Sequence, residues 1–145
     1  MPMLDSYLFF DGNCAEAMRF YERVTGGKLL AMMKYGESPV PQDPAHCGPG
    51  DMDRIMHAHI LIDGRNLMAS DSPKGQHKPM QGFSLSLFYD TPEEAKKKFD
   101  MLADGGQTFM PWGPTFWANG FGMCVDKFGT PWMVSGGAVN APPQG

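Results

Sequence analysis

The chain has 145 residues, of which 42% are hydrophobic and 19% charged, and its formal net charge is −4. This composition is typical of a globular protein with one domain, or with two very small modules that share a core. The acidic balance and the lack of a basic run argue against a nucleic-acid partner. No apolar run approaches the roughly 20 residues that a membrane-spanning helix needs.

The compartment is predicted from the first residues and from the cysteines. The start, MPMLDSY, has neither the charged region nor the apolar region of a secretory signal. The three cysteines have no CxxC spacing. Together these features favour a cytoplasmic protein with reduced thiols over a disulfide framework.

The first half of the chain predicts one strand, one helix and three further strands. Residues 3–10, MLDSYLFF, predict the first strand. Asn13 is a typical N-cap, Glu16 completes a capping box, and Gly26 and Gly27 end the helical pattern. The strands that follow are predicted at 28–34, 55–62 and 67–71.

Two irregular segments interrupt this half. Residues 36–53 carry His46 and Cys47 among several prolines and glycines, and they have no period. A loop of this length is typical of a lid or of a partner contact. The polar segment 72–82 is predicted to be the linker to the second half.

The second half repeats this order of elements. Residues 83–89, FSLSLFY, alternate as a strand does, and Thr91 then caps a helix with Pro92 at its first position. After a short strand at 107–110 comes the stretch 115–135, TFWANGFGMCVDKFGTPWMVS. It predicts an aromatic loop and then two strands joined by a turn at 126–129.

Corresponding positions in the two halves support a duplication. One βαβββ half has a sheet face that it cannot cover alone, so two halves are expected to pair. The predicted modules span residues 3–71 and 82–137 of a single domain, 1–145, in the α+β class. The corresponding positions are Asn13 with Thr91, Glu16 with Glu94, Gly64 with Gly129, and Met68 with Met133.

Three stretches carry a family resemblance: YLFFDGNCAEAMRFY (7–21), MHAHILIDGRNLMASD (56–71) and TFWANGFGMCVDKFGTPWM (115–133). They resemble the vicinal-oxygen-chelate superfamily, which includes glyoxalase I, bleomycin-resistance proteins and extradiol dioxygenases, and within it the PhnB-like branch. The resemblance implies a glyoxalase-like fold in which the two modules form a curled mixed-sheet cup. It also implies a small-molecule ligand and a homodimer.

The metal positions of that superfamily are not matched by metal-binding residues in this chain. Its metal-dependent members hold the ion through His, Gln or Glu on the first and last strands of each module. Counting back seven residues from the two N-caps gives Ser6 and Ser84, and the last strands give Met68 and Met133. Hydroxyl and thioether groups do not replace the oxygen and imidazole ligands that hard divalent ions prefer. The expectation is therefore no standard metal and no cofactor.

His57 and His59 suggest an alternative metal site. Because they are two residues apart in a strand, both rings lie on the same face. Two histidines without a third ligand make an incomplete site. Asp63 and Asp71 are candidates for that ligand, although their positions indicate a turn residue and a strand-end residue.

Alternation places an apolar surface with a few hydroxyls inside the cup. Such a surface suits a small ligand with an aromatic or aliphatic body. The aromatic residues before the last hairpin either line this pocket or pack their own loop or a dimer interface. The predicted ligand-binding residues are Ser6, Phe10, His57, His59, Met68, Ser84, Ser86, Phe88, Trp112, Phe116, Trp117, Asn119 and Met133.

Three functions remain open from the sequence. The leading hypothesis is a metal-independent protein that binds a small apolar molecule in the cup. The second is a divalent-metal lyase, isomerase or dioxygenase that uses His57 and His59, and the third is sequestration of a drug-like compound. Cys14, at the start of a helix, is expected to be a small buried hydrophobic residue rather than a nucleophile.

Overall fold

A computed structural model describes residues 2–39 and 49–138. The chain divides into two compact units, residues 1–78 and 79–145. Within the described ranges, no helix is long and apolar enough to cross a membrane.

The first unit is one helix on a four-stranded sheet with the strand order β1-β4-β3-β2. Strand β1 runs parallel to β4, and the other pairs are antiparallel. Its elements are β1 (Ser6–Phe10), α1 (Cys14–Thr25), β2 (Lys28–Lys34), β3 (Ile55–Ile62) and β4 (Arg65–Asp71), with 3₁₀ turns at Tyr35–Glu37 and Pro49–Asp51.

The second unit repeats this topology, with the strand order β5-β8-β7-β6 and the same parallel pair, β5 with β8. The predicted α+β duplication is confirmed. Its elements are β5 (Leu85–Tyr89), α2 (Pro92–Ala103), β6 (Gln107–Gly113), β7 (Ala118–Val125) and β8 (Pro131–Ala138).

In each unit, one face of the sheet packs against the helix of that unit. In the first unit, Phe10 and Ile60 are buried on this side, and the Phe10 ring lies 6.4 Å from that of Tyr21 in α1. In the second unit, Trp132 and Val134 are buried. Burial of each such side chain contributes about 1.5–3 kcal/mol. The opposite sheet surface of each unit, here called the open face, carries the alternate residues.

The open face of β1 was predicted wrongly. Leu8 and Phe10 are buried on the helix side, whereas Tyr7 and Phe9 are 39% and 54% exposed on the open face. Ser6 alternates with Tyr7 and therefore lies on the helix side too.

The physical reason is one additional residue between strand and helix. Residues 11–13 connect β1 to α1, but only residues 90–91 connect β5 to α2. The longer connection includes Gly12, whose φ is 92°. A shift of one residue turns every side chain of a strand to the other face. Asp5, not Ser6, therefore corresponds to Ser84.

Two helix starts use different caps. Thr91 accepts a hydrogen bond from the Glu94 amide at 3.2 Å, as predicted. Asn13 makes no side-chain cap. Instead, the buried Asp71 carboxylate accepts from the amides of Gly12 and Cys14, at 2.8 and 3.0 Å. A residue that is distant in sequence, at the end of the neighbouring strand β4, replaces the predicted local cap.

The last hairpin turns as predicted, around Gly129 with its φ of 92°. Asp126 accepts from the amides of Phe128 and Thr130, at 2.8 and 3.0 Å, and from the Trp132 indole at 2.8 Å. Several strand limits differ from the prediction: β1 begins at Ser6, β4 at Arg65 and β5 at Leu85, and β6 continues to Gly113.

Candidate functional site

The open face of the second unit is a surface of thioether and phenyl groups. In the strand register, Met133 lies opposite both Ser86 and Met123, and Met110 lies opposite Met123. Side chains directly opposite in a ladder are close enough to contact one another. The row Met110, Met123, Met133 and Ser86 therefore crosses the whole sheet.

A second row lies beside it. Ser135 is opposite both Phe88 and Phe121, and Phe88 is 58% exposed. Trp117 contacts Phe121 edge to face, with ring centroids 5.2 Å apart, and Phe116 contacts Trp117 at 4.7 Å. Phe116 and Trp117 therefore extend the aromatic row beyond the strands.

The other predicted residues of this unit are divided. Trp112 packs against Phe99 of α2, with ring centroids 5.4 Å apart, so it belongs to the core on the helix side. Asn119 lies near the start of β7 and is exposed, whereas the next residue, Gly120, is buried. Ser84 is half-buried just before β5.

The open face of the first unit is polar where the second is apolar. The Tyr7 hydroxyl and His57 Nδ1 are 3.1 Å apart. His59 Nε2 is 2.7 Å from Asn66 Oδ1, and Asn66 Nδ2 donates to Asp5 Oδ1 at 3.2 Å. The two histidine rings are 6.5 Å apart. We call these five residues the polar chain.

The polar chain adjoins apolar side chains of the same face. Met68 lies opposite Tyr7 on one side and His59 on the other. Phe9 contacts Tyr7, with ring centroids 5.2 Å apart. Met33 lies opposite His57 on β2. A ligand on this face would therefore meet both hydrogen-bonding and apolar groups.

The register shows how the two open faces correspond. Ala58 pairs with Ala69 in the first unit, and Gly122 pairs with Val134 in the second. His57 and His59 thus occupy the places of Phe121 and Met123. The two units therefore share the same strand arrangement, but these two corresponding positions carry histidines in the first unit and apolar residues in the second.

Sequence reasoning missed part of each face. For β1, the sequence did contain an indication of the correct face. If the alternation is counted from the apolar Leu8 instead of from the helix cap, Tyr7 and Phe9 lie on the open face. The hydrogen bonds of Asp5 and Asn66 had no such signal. The missed residues are Asp5, Tyr7, Phe9 and Asn66 in the first unit, and Met110, Phe121 and Met123 in the second.

The residues at the metal positions do not fit a hard divalent ion. With the corrected register, these positions hold Asp5 and Met68 in one unit, and Ser84 and Met133 in the other. Asp5 is the only carboxylate among them, and it accepts a hydrogen bond from Asn66. Within residues 2–39 and 49–138, no group of three or more His, Cys, Asp or Glu side chains is arranged to hold a metal.

The two aspartates considered as further ligands have structural roles. Asp71 is 1% exposed and accepts hydrogen bonds from backbone amides through both carboxylate oxygens. Asp63 is exposed in the β3–β4 turn, where its φ is 44°. His46 and Cys47 lie outside the described residues.

The described cysteines are not nucleophiles. Burial raises the pKa of the Cys14 thiol well above its usual range, and the nearby Asp71 carboxylate raises it further. Burial and the Asp126 carboxylate raise the pKa of Cys124 to about 11. Because the thiolate is the reactive form, both groups are inert at neutral pH.

Comparisons with known proteins agree with this fold. The sequence profile of the Glyoxalase/Bleomycin resistance protein/Dioxygenase superfamily matches residues 3–134. Protein YjdN of Escherichia coli K12 is 42% identical over 140 residues, which are 93% of this chain and 95% of that protein.

Two solved structures are similar over almost their whole length. Protein PA1353 from Pseudomonas aeruginosa has a TM-score of 0.83 and 42% identity, covering 94% of this chain and 98% of that one. A PhnB protein from Bacillus cereus has a TM-score of 0.76 and 27% identity, covering 93% and 99%. The chain therefore belongs to the glyoxalase/bleomycin resistance protein/dioxygenase superfamily.

Proposed function

We propose that this protein binds a small, largely apolar molecule on its open sheet faces, without a metal at the superfamily positions. The observation that carries the proposal is the pair of rows on the second unit, where methionine and phenylalanine side chains lie in register with two serines. Methionine and aromatic side chains form adaptable apolar surfaces, and the two hydroxyls can orient a polar group.

The size of the ligand follows from the strength of apolar contacts. A dissociation constant near 1 μM corresponds to about −8 kcal/mol, and each buried methylene contributes about 0.8 kcal/mol. About ten carbon atoms in contact with the open face are therefore needed, before the entropy cost of binding is subtracted. An aromatic body with one or two polar groups meets this requirement.

A charge on the apolar rows is expected to weaken binding. Phe88→Asp places a carboxylate opposite Ser135 in the aromatic row, where an apolar ligand would have to desolvate it. We expect at least a tenfold lower affinity for the dye 8-anilinonaphthalene-1-sulfonate, measured by fluorescence titration. Met101→Asp is the matched control, because Met101 is a comparable exposed apolar residue on α2, 40% exposed. Equal dye affinity in the two variants would contradict the proposed surface.

Metal content tests the other half of the proposal. Protein purified without chelator and then dialysed is expected to contain well under one equivalent of Zn, Mn, Fe or Ni by elemental analysis. The reason is the donor set, in which thioethers and one hydrogen-bonded carboxylate replace the usual ligands. One equivalent of tightly bound metal per chain would disprove the proposal that the protein has no metal at these positions.

A metal-dependent lyase, isomerase or dioxygenase is the second candidate. The observation in its favour is that His57 and His59 share an open face, with ring centroids 6.5 Å apart. A metal bound at 100 times its dissociation constant would stabilise the folded protein by about 2.7 kcal/mol. If Zn²⁺ or Mn²⁺ raises the melting temperature of the wild type but not of a His57→Ala/His59→Ala variant, this candidate replaces the first.

We also propose that the protein is a cytoplasmic homodimer. Phe9, Phe88 and Phe116 expose 54%, 58% and 75% of their surface, and Cys14 and Cys124 are free thiols. Large exposed aromatic side chains are typical of interaction surfaces. Light scattering coupled to size-exclusion chromatography should give twice the chain mass of 16.0 kDa, and a monomer at micromolar concentration would argue against the dimer.

A further inference from the structure

The methionines of this chain lie mainly outside its core. The sequence has 13 of them, although methionine is among the residue types that are most often fully buried. Within residues 2–39 and 49–138, Met18 is the one methionine that is fully buried, at 0% exposed. Met110, by contrast, is 42% exposed on the open face of the second unit. Core filling therefore does not explain the thioethers on the open faces.

Three of these side chains form a continuous thioether row. Met110, Met123 and Met133 lie opposite one another on the adjacent strands β6, β7 and β8. Neighbouring strands are about 4.8 Å apart, so the row spans roughly 10 Å, and opposite side chains are close enough to contact. Met123 and Met133 are half-buried. An oxidant that reaches the exposed end of the row therefore finds two more sulfur atoms beside it, within the proposed ligand surface.

The described cysteines do not compete with these thioethers for an oxidant. Cys14 and Cys124 are 0% and 2% exposed, and burial raises the pKa of both thiols. A thiol reacts through its thiolate, so both groups are protected at neutral pH. A thioether has no proton to lose, and its exposure decides whether an oxidant reaches it. On the described surface of the second unit, an oxidant therefore meets thioethers and not thiols.

We propose that the thioether row is a modification site, at which a peroxide oxidises methionine to methionine sulfoxide and thereby weakens binding of the apolar ligand. This inference rests on the proposed function, because it concerns the same surface and adds its regulation. Methionine sulfoxide is reduced back to methionine by dedicated reductases, so the change is reversible. The row then acts as a redox-sensitive switch for the open face of the second unit.

The oxygen transfer balances with a peroxide as the only co-reactant. The Sδ lone pair of a methionine attacks one peroxide oxygen, so that an S–O bond forms while the O–O bond breaks. The leaving hydroxide takes the proton of the transferred hydroxyl group and departs as water. Sulfur is thereby oxidised by two electrons to the sulfoxide, and the peroxide is reduced by the same two electrons.

A sulfoxide in the row changes the surface that a ligand would contact. Its oxygen is a polar acceptor on a side chain that was apolar. An apolar ligand would have to remove water from this oxygen without replacing its hydrogen bonds, which costs binding free energy. Because Met123 lies between Met110 and Met133, an oxygen on any member lies beside another. Oxidation of one or two sulfur atoms should therefore disturb the whole row.

The site is tested by oxidising the protein and measuring its affinity for 8-anilinonaphthalene-1-sulfonate. Wild-type protein is treated with hydrogen peroxide, then with catalase, and then with dithiothreitol, which reverses disulfide and sulfenic acid formation but leaves sulfoxides. Mass spectrometry of peptides should locate sulfoxide in the thioether row and not at buried Met18. We expect about tenfold weaker dye binding, with an unchanged circular dichroism spectrum and with recovery after treatment with methionine sulfoxide reductases.

Matched variants link the loss of affinity to the row. In Met110→Leu/Met123→Leu/Met133→Leu, leucine keeps the apolar character and nearly the volume of methionine but has no sulfur. Whatever its starting affinity, this variant should bind the dye equally before and after the treatment. Met110→Leu alone, on the edge strand β6, should lose less affinity than the wild type. Met101→Leu is the control, since Met101 is 40% exposed on α2, and it should lose affinity as the wild type does.

The outcomes separate the two proposals. A triple variant that loses as much affinity as the wild type would overturn the modification site and leave the proposed binding function intact. The same conclusion would follow from sulfoxides in the row that leave dye binding unchanged, or from an unoxidised row under conditions that oxidise Met101. Failure of the untreated wild type to bind the dye would contradict the proposed function as well.

Discussion

Replacement of Asp71 by alanine is expected to lower the free energy of unfolding by at least about 3 kcal/mol. The carboxylate is 1% exposed. One oxygen accepts from the amides of Gly12 and Cys14, at 2.8 and 3.0 Å, and the other accepts from the amide of Ile55 at 2.8 Å. Alanine would leave these donors without their acceptor, and each buried unsatisfied donor costs about 1–3 kcal/mol.

The effect should be specific to this position, which ties the start of α1 and the start of β3 to the end of β4. Asp100→Ala is the matched control, because its carboxylate is 58% exposed and forms a surface ion pair with Lys96 at 2.9 Å. Exposed pairs contribute about 0–1 kcal/mol. Urea unfolding followed by circular dichroism measures both variants, and similar midpoints for Asp71→Ala and Asp100→Ala would show that the buried carboxylate is not structural.

Asp71 also shows where sequence reasoning reached its limit. The residue was recognised as the end of a strand, but its partners lie 57 and 59 residues away in the chain. Propensity and periodicity describe neighbours in sequence, so the local Asn13 cap was the available prediction. The duplication was predictable for the same reason, since its strands, helices and turn glycines are each specified by short stretches.

In the candidate site too, the residues that local patterns specify were predicted, and those that depend on distant contacts were not. Met133, Phe88 and Ser86 were assigned to one face by alternation within single strands, and the register places them together. In the first unit, the face of β1 depends on the length of the connection after it, and this one residue reversed the assignment of Ser6 and Phe10. The contact of Asn66 with Asp5 joins residues 61 apart, so no local pattern could indicate it.

Trp112 illustrates a further source of error. It was placed in an aromatic loop with Phe116 and Trp117, whereas β6 continues to Gly113 with irregular register after Met110. These irregularities re-aim the strand, and the indole reaches Phe99 of the helix. An aromatic cluster in sequence was therefore divided between the core and the open face.

Replacement of Gly106 by alanine is expected to destabilise the second unit by about 3 kcal/mol or more, at the upper end of what overpacking costs. A Cβ at this position would lie 2.1 Å from the carbonyl oxygen of Val125, and 2.9 Å from two further backbone atoms, of Asp126. Backbone cannot move aside as a flexible side chain can, so α2 would have to shift away from the hairpin that carries Met123 and Met133.

Gly113→Ala is the matched control for this prediction, because a Cβ there would meet nothing within 4 Å. It should change the urea midpoint little, whereas Gly106→Ala should lower it strongly or leave the protein insoluble. Gly27→Ala gives a graded test in the first unit, where the Cβ would lie 2.9 Å from the Leu61 carbonyl oxygen. We expect its loss of stability to fall between those of the other two variants, because a Cβ at Gly27 would be farther from the strand carbonyl oxygen than a Cβ at Gly106. Gly106→Ala and Gly113→Ala could instead unfold at the same urea concentration. In that case, the close contact between the glycine after each helix and the neighbouring strand would not be a structural requirement.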